Sequence, residues 1–329
     1  MLSWKLPRLL NINQVPQVFR EEGILCGYRH PKSSAADCIF SIFQMTNETM
    51  NIWTHFLPAW YFLWKLLASL HAWDVWRDHH TWPFLAYLGT CCVYLLISSG
   101  AHTFSPMSSR ARHLCYFFDY GALALYGFGS AVAYSAYVFP EEWSGSPFHR
   151  AFVPAAVLNA GIATSLSCFS RFMETEQPKF SKVIRLLAFA YSYLFDSLPL
   201  FYRLYLCEVN VCTESVLAIH YKHIVFACLT CFFFAAHLPE KLAPGLFDYV
   251  GHSHQLSHIC AVMGTHFQME ALRVDMEDRS KASLPSTFFS QTVGFFAAAV
   301  VVNLVIIAIF SKALYSTPRF SKKGSKRQD

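Results

Sequence analysis

Two histidines stand one helical turn apart at His254 and His258, and a serine and a histidine repeat that spacing at Ser98 and His102. Residues four apart on a helix share a face, so His254 and His258 can turn ring nitrogens toward a single point. A third imidazole from His102 would complete a three-nitrogen set with a fourth position open, the form zinc takes where it does chemistry. Asp119 offers a carboxylate that could hydrogen-bond a water or ligand in that position, and the Ser98 hydroxyl lies behind the His102 ring. The competing reading is chance: an i,i+4 histidine pair alone does not make a metal site.

The elements that must position these residues are read from hydrophobic runs. Of 329 residues, 54% are hydrophobic, 17% aromatic and 14% charged, where a soluble domain carries about a quarter charged. About 20 apolar residues cross a bilayer core. Eight runs qualify, at 53–71, 82–101, 116–138, 151–169, 186–207, 219–237, 251–271 and 288–314. The seventh is the least apolar because it holds His252, His254, His258 and His266. Lipid leaves backbone groups no outside partner, so these runs are read as helices, and the fold class is an all-α polytopic membrane bundle.

Of the 26 lysines and arginines, seventeen fall in residues 1–52, the even-numbered loops and the tail, five fall in the opposite loops, and the rest lie within the runs. The positive side stays in the cytosol, which puts both termini there. In that orientation His102 closes the second run, Asp119 opens the third, and His254 and His258 open the seventh, so four ionisable groups meet in one layer near the cytosolic face. Ionisable groups in a membrane span mark function. Residues 1–16 lack an apolar stretch followed by a small-residue cleavage site, so the first run is expected to act as the insertion signal. The division is a cytosolic N-terminal segment (1–52), a seven-helix core (53–272), an outer loop (273–287), an eighth transmembrane helix (288–314) and a basic cytosolic tail (315–329).

Three blocks carry a resemblance. They are Glu48-Thr49-Met50-Asn51-Ile52-Trp53-Thr54-His55; Ser98-x-x-x-His102 with Asp119; and Pro239-Glu240, Phe247-Asp248 and Ser253-His254-Gln255-x-x-His258. In order and wording the chain resembles the progestin and adipoQ receptor family, and the eighth helix looks like its progestin-receptor branch. The resemblance implies an adiponectin-receptor-like seven-helix core, with a zinc ion on His102, His254 and His258 and with Ser98 and Asp119 behind the ligands. It also implies a plasma-membrane receptor for a progestin-type steroid, signalling through a separate cytosolic partner such as a heterotrimeric G protein. The alternative it raises is a zinc-dependent hydrolase of a lipid amide such as ceramide. His237, where adiponectin receptors carry a basic residue, is read as local variation.

Other residues carry weaker expectations. Glu48, Asn51 and His55 are expected to cap and brace the first helix, with Thr46 or Asn47 as its N-cap. Asp196, three residues before Pro199, either pairs with a polar neighbour in a kinked helix or faces a ligand. Arg203 is expected to snorkel toward the outer interface. Cys228 and Cys231, inside a span, are expected to pack. Cys207 and Cys212, on the oxidising side, are expected to form a disulfide. The tail, with Lys322, Lys323, Lys326 and Arg327, is expected to be drawn to anionic membrane lipids. Nothing in the charge pattern points to nucleic acid. Rhodopsin-type receptor motifs are absent, and no internal repeat or broken-helix pair suggests a transporter.

Overall fold

The computed structural model describes residues 7–174, 176–210, 215–281 and 289–316. The helices are α1 (Ala35–Phe40), α2 (Thr49–Ala72), α3 (Trp82–Phe104), α4 (Ser109–Tyr137), α5 (Pro147–Met173), α6 (Pro178–Asp196), α7 (Leu198–Asn210), α8 (Ser215–Ala236), α9 (Ser253–Lys281) and α10 (Phe289–Ser316). No strand occurs among the described residues beyond an isolated bridge between Leu10 and Tyr28. Local chemistry sets several starts. Prolines sit at the head of α3, α5 and α6, where the missing N–H costs nothing. Ser108 and Ser146 accept hydrogen bonds from the Ala111 and His149 N–H groups, at 3.0 and 3.1 Å, as N-caps of α4 and α5.

By length and composition α3, α5, α8 and α10 can each cross a membrane, and α6 with α7 forms a fifth span only as a pair bent by 56°. The expected run 186–207 is therefore two helices meeting at Ser197, and Pro199 lies in the first turn of the second. Helices α2, α4 and α9 have 24, 29 and 29 residues, enough to cross, but they carry the polar side chains of the site described below. Helix α9 also runs further than the sequence suggests, through residues expected in the outer loop to Lys281. Cys207 is disulfide-bonded; Cys212, its expected partner, and residues 317–329 of the tail lie outside the described residues. Cys228 and Cys231 are free.

In the bundle α3 packs between α2 and α4, α8 against α9, and α10 along α5 and α4. The largest fully buried side chains are aromatic, among them Phe62, Phe84, Tyr87, Phe128, Tyr134 and Phe152. At mid-depth Gln268 of α9 accepts from the hydroxyls of Tyr87 (3.0 Å) and Tyr126 (2.6 Å), while its amide donates to Tyr134 (2.7 Å). One side chain thereby ties α3, α4 and α9 with its polar atoms satisfied. Helix α10 comes close because glycines face it. A Cβ on Gly121 would stand 2.8 Å from Ile307 and one on Gly161 3.0 Å from Val302. Leu158, Ile162, Leu166 and Phe169 form an exposed apolar stripe on α5, which is what a lipid-facing surface requires.

Residues 7–48 fold over the end of the bundle where α2 begins and α3 ends. The N–H groups of Leu25 and Cys26 donate to the two oxygens of Asp248, at 2.8 and 2.7 Å. The buried Arg29 donates to the carbonyls of His102 (2.5 Å) and Thr103 (2.8 Å). These are the last carbonyls of α3, which have no partner within the helix and which a cation satisfies well.

Candidate metal centre

His102 lies in the last turn of α3, and His254 and His258 in the first turns of α9, so the layer read from the sequence assembles at the end covered by residues 7–48. One ring nitrogen of each histidine lies within 4.8 Å of those of the other two. His102 Nε2 and His254 Nε2 stand 3.3 Å apart. Two nitrogens on one tetrahedral ion with bonds of about 2.0–2.1 Å are separated by about 3.3 Å; an N–H···N hydrogen bond would have a similar length.

The outer nitrogens help to choose between these. His102 Nδ1 lies 2.8 Å from Glu48 Oε2, and His258 Nδ1 lies 3.2 Å from the Asn51 carbonyl and 3.2 Å from the Thr54 hydroxyl. A carboxylate and a carbonyl only accept, so both Nδ1 atoms carry a proton, which leaves Nε2 as the nitrogen able to ligate when each ring is neutral. Carboxylates and carbonyls behind histidines are the usual means of fixing a metal-binding tautomer. The donor set therefore fits a divalent metal ion. Ser98 and Asp119 line the same cavity as the three histidines, so all five expected residues come together.

The role of Glu48 departs from expectation. It occupies the N-cap position of α2 but makes no capping hydrogen bond; Thr49 Oγ1 accepts from the Thr46 N–H instead (2.9 Å). The Glu48 carboxylate accepts from Asn51 Nδ2 (2.7 Å) and from His102. His55 stacks flat on His258, with centroids 3.7 Å apart and planes at 11°. The Glu-x-x-Asn-x-x-x-His spacing of residues 48, 51 and 55, one face of α2, was the signal available in the sequence. His237 lies within 3.4 Å of Glu240 and 3.7 Å of Glu22, an ion-pair position rather than a fourth ligand.

The cavity around the histidines has a volume of about 300 Å³. It shares Tyr94, Leu123, Phe189, Thr230, Cys231 and Ala261 with a second, more apolar chamber of about 170 Å³, which reaches the α6–α7 bend. At the far wall Asp196 accepts from Asn159 Nδ2 (3.3 Å) and Ser192 Oγ (3.4 Å), so it pairs with polar neighbours and also lines the chamber. Arg203 does not snorkel. It donates to Asp275 at 2.7 Å, and Asp275 also meets His220 Nε2 at 2.8 Å.

A helical bundle carrying three converging histidines beneath a folded N-terminal cover matches the Haemolysin-III related family model over residues 43–269, and the chain belongs to that family. Its full-length relatives narrow the placement to the progestin-receptor group. The chain is 54% identical to membrane progestin receptor gamma-B of Danio rerio, over 95% of this chain and 96% of that protein. It is 52% identical to human membrane progestin receptor gamma, with 97% and 98% covered, and 54% identical to human membrane progestin receptor delta, with 97% and 94% covered. The chain is accordingly a multi-pass membrane protein of this family.

Proposed function

We propose that the chain is a plasma-membrane receptor for a progestin-type steroid, with both termini in the cytosol and a separate cytosolic partner, a heterotrimeric G protein, that responds to occupancy. The relatives' names supply the ligand class. Within this chain the reading rests on the two connected cavities, which offer a rigid apolar ligand aromatic walls and a polar end at Asp196 and Ser192. Ligand sites of this kind are mostly apolar, with a few polar groups that fix orientation. Saturable, displaceable binding of tritiated progesterone to the purified chain is expected. Ala261→Phe, which fills the junction of the cavities, is expected to abolish binding while the protein stays folded. Absence of displaceable binding in the wild type would end this reading.

Zinc is the metal proposed for His102, His254 and His258, because imidazole nitrogens suit it and an open fourth position is its catalytic form. When bound it would supply Lewis acidity and an acidified water. The protein's own contributions are separate. Glu48 and the Asn51 carbonyl hold His102 and His258 in one tautomer, and Asp119 and Ser98 stand at the same cavity wall. That wall favours a second reading, a lipid-amide hydrolase acting on a ceramide-like substrate, in which Asp119 would receive a proton from the attacking water. Asp119→Asn should then retain the metal and steroid binding but lose turnover by about 100-fold or more. A zinc-loaded wild-type protein that turns over no ceramide would exclude the hydrolase and leave the receptor intact.

A further inference from the structure

At the mouth of the larger cavity three arginines converge from three helices: Arg112 in the first turn of α4, Arg171 in the last turn of α5 and Arg185 early in α6. The guanidiniums of Arg112 and Arg171 lie over the ring of Tyr116, at 5.2 and 4.5 Å from its centroid. Arg171 Nη1 donates to Glu174 Oε1 at 2.6 Å, and Arg185 Nη1 reaches the same oxygen at 3.4 Å and the Tyr120 hydroxyl at 2.9 Å. Arg112 Nη2 donates to the Glu21 carboxylate. Three cations therefore meet two anions. Burial pushes the Glu174 carboxyl up, yet the charges of Arg171, Arg185 and Arg112 together outweigh that and hold it below its ordinary value.

Donors and acceptors do not balance here. Arg112 Nε, Arg171 Nε, Arg171 Nη2 and Arg185 Nε are buried without a hydrogen-bond partner, against one buried acceptor left over in the cluster, Glu174 Oε2. Arg112 and Arg171 are only 5% and 3% exposed. Buried charged donors without acceptors are strongly unfavourable, and the forked guanidinium is shaped to hold oxyanions. Lys182 lines the same cavity and adds positive charge.

We propose that Arg112, Arg171 and Arg185 form a binding site for a phosphate-type oxyanion at the cavity mouth. Two sources share that chemistry: a free phosphate, or the headgroup of an anionic phospholipid whose chains lie along the exposed apolar residues Leu166, Phe169, Val183 and Leu187 of α5 and α6. The site requires neither metal nor steroid, so it is tested without either.

The full chain is purified, placed in phosphatidylcholine nanodiscs with or without phosphatidic acid, and examined by native mass spectrometry for retained lipid. In parallel, thermal unfolding in detergent is compared in phosphate and in chloride at equal ionic strength. Arg171→Gln combined with Arg185→Gln is expected to lower retention about tenfold or more. Lys179→Gln combined with Lys241→Gln, an equal loss of charge at two exposed residues outside the cavity lining, is expected to leave it unchanged. Glu174→Gln removes the competing carboxylate and is expected to raise retention, and it decides the matter alone if the double variant does not fold. Stabilisation by inorganic phosphate identifies a soluble source, and retention of phosphatidic acid alone identifies a lipid. No preference for either anion, equal effects of the arginine and lysine variants, or no gain in Glu174→Gln overturns the proposal.

Discussion

The two ends of this bundle are built from the same residue types and use them differently. At the end where α4 closes, Asp275 takes Arg203 at 2.7 Å and His220 at 2.8 Å, and Arg279 donates to the carbonyls of Tyr137 and Phe139. His80 reaches the Met276 carbonyl at 3.0 Å. This network is nearly closed, with the His220 Nδ1 lone pair as its remainder among the described residues. At the other end ring nitrogens of His102 and His254 face one another, and five guanidinium nitrogens, from Arg110, Arg112, Arg171 and Arg185, have no acceptor among the described residues. Buried polar groups that satisfy one another hold a fold together; those aimed into a cavity with their bonding incomplete are where a ligand gains most. The contrast separates an end whose polar groups are spent on fastening helices from an end whose polar groups face a cavity.

The largest test removes a ligand. His102→Ala is expected to lose all bound metal, measured by plasma emission spectrometry against one zinc per chain in the wild type, because only two protein nitrogens remain. Glu48→Gln keeps the hydrogen bond but not the charge and is expected to weaken metal binding by about 10- to 100-fold. A metal-free wild type would dissolve the distinction between the ends.

At the closed end Asp275→Asn should act on stability alone. It leaves Arg203 and His220 without their anion, at a cost of about 3 kcal/mol for a buried pair that loses one member, with metal content unchanged. A loss of metal equal to that in His102→Ala would show that the two ends are not separable.

A smaller effect depends on pH. Burial pushes the Glu240 carboxyl up, but hydrogen bonds from His237 and Ser253 outweigh it and bring it down to about 2. Its unfolded value is about 4.3. With the folded value lower, Glu240 stabilises the protein fully above about pH 4.3, and this is lost as pH falls toward 2. The difference in thermal midpoint between wild type and Glu240→Gln should be constant near pH 6 and shrink below pH 4. A constant difference down to pH 2.5 would contradict it.

The least disruptive test concerns the cysteines between α7 and α8. Cys207 and Cys212 are expected to resist alkylation until reduced, and to become modified together afterwards. Finding Cys212 free in the unreduced protein would place the Cys207 bond elsewhere.

Much of the histidine cluster was legible in the sequence, because histidines and an aspartate are costly in a membrane span and their places in the hydrophobic runs put them at one level of the bundle. His254 and His258 also announce themselves by spacing within a single helix. Glu48 did not, because it acts on His102 from a different helix, and a polar residue at a helix start has an ordinary use as a cap. Arg203 was misread for a related reason: its partner Asp275 lies where the sequence suggested a loop, and only the continuation of α9 to Lys281 brings that carboxylate into reach. The 56° break at Ser197 was signalled by Pro199 but not located, since a proline in the first turn of a new helix and one inside a kinked helix leave the same trace in sequence.

Arg29 has one consequence for how this end could be controlled. Its guanidinium grips the carbonyl of His102 while Glu48 meets the ring, so the cover formed by residues 7–48 holds both the backbone and the side chain of a cavity-facing residue. A protein docking on this end of the bundle meets that cover before it meets any helix. Pulling on the cover would draw the last turn of α3 with it and change the spacing of His102 from His254. Displacing the ring would in turn press on the cover from inside. One hydrogen bond thus couples the position of the cover to that of the His102 backbone in both directions.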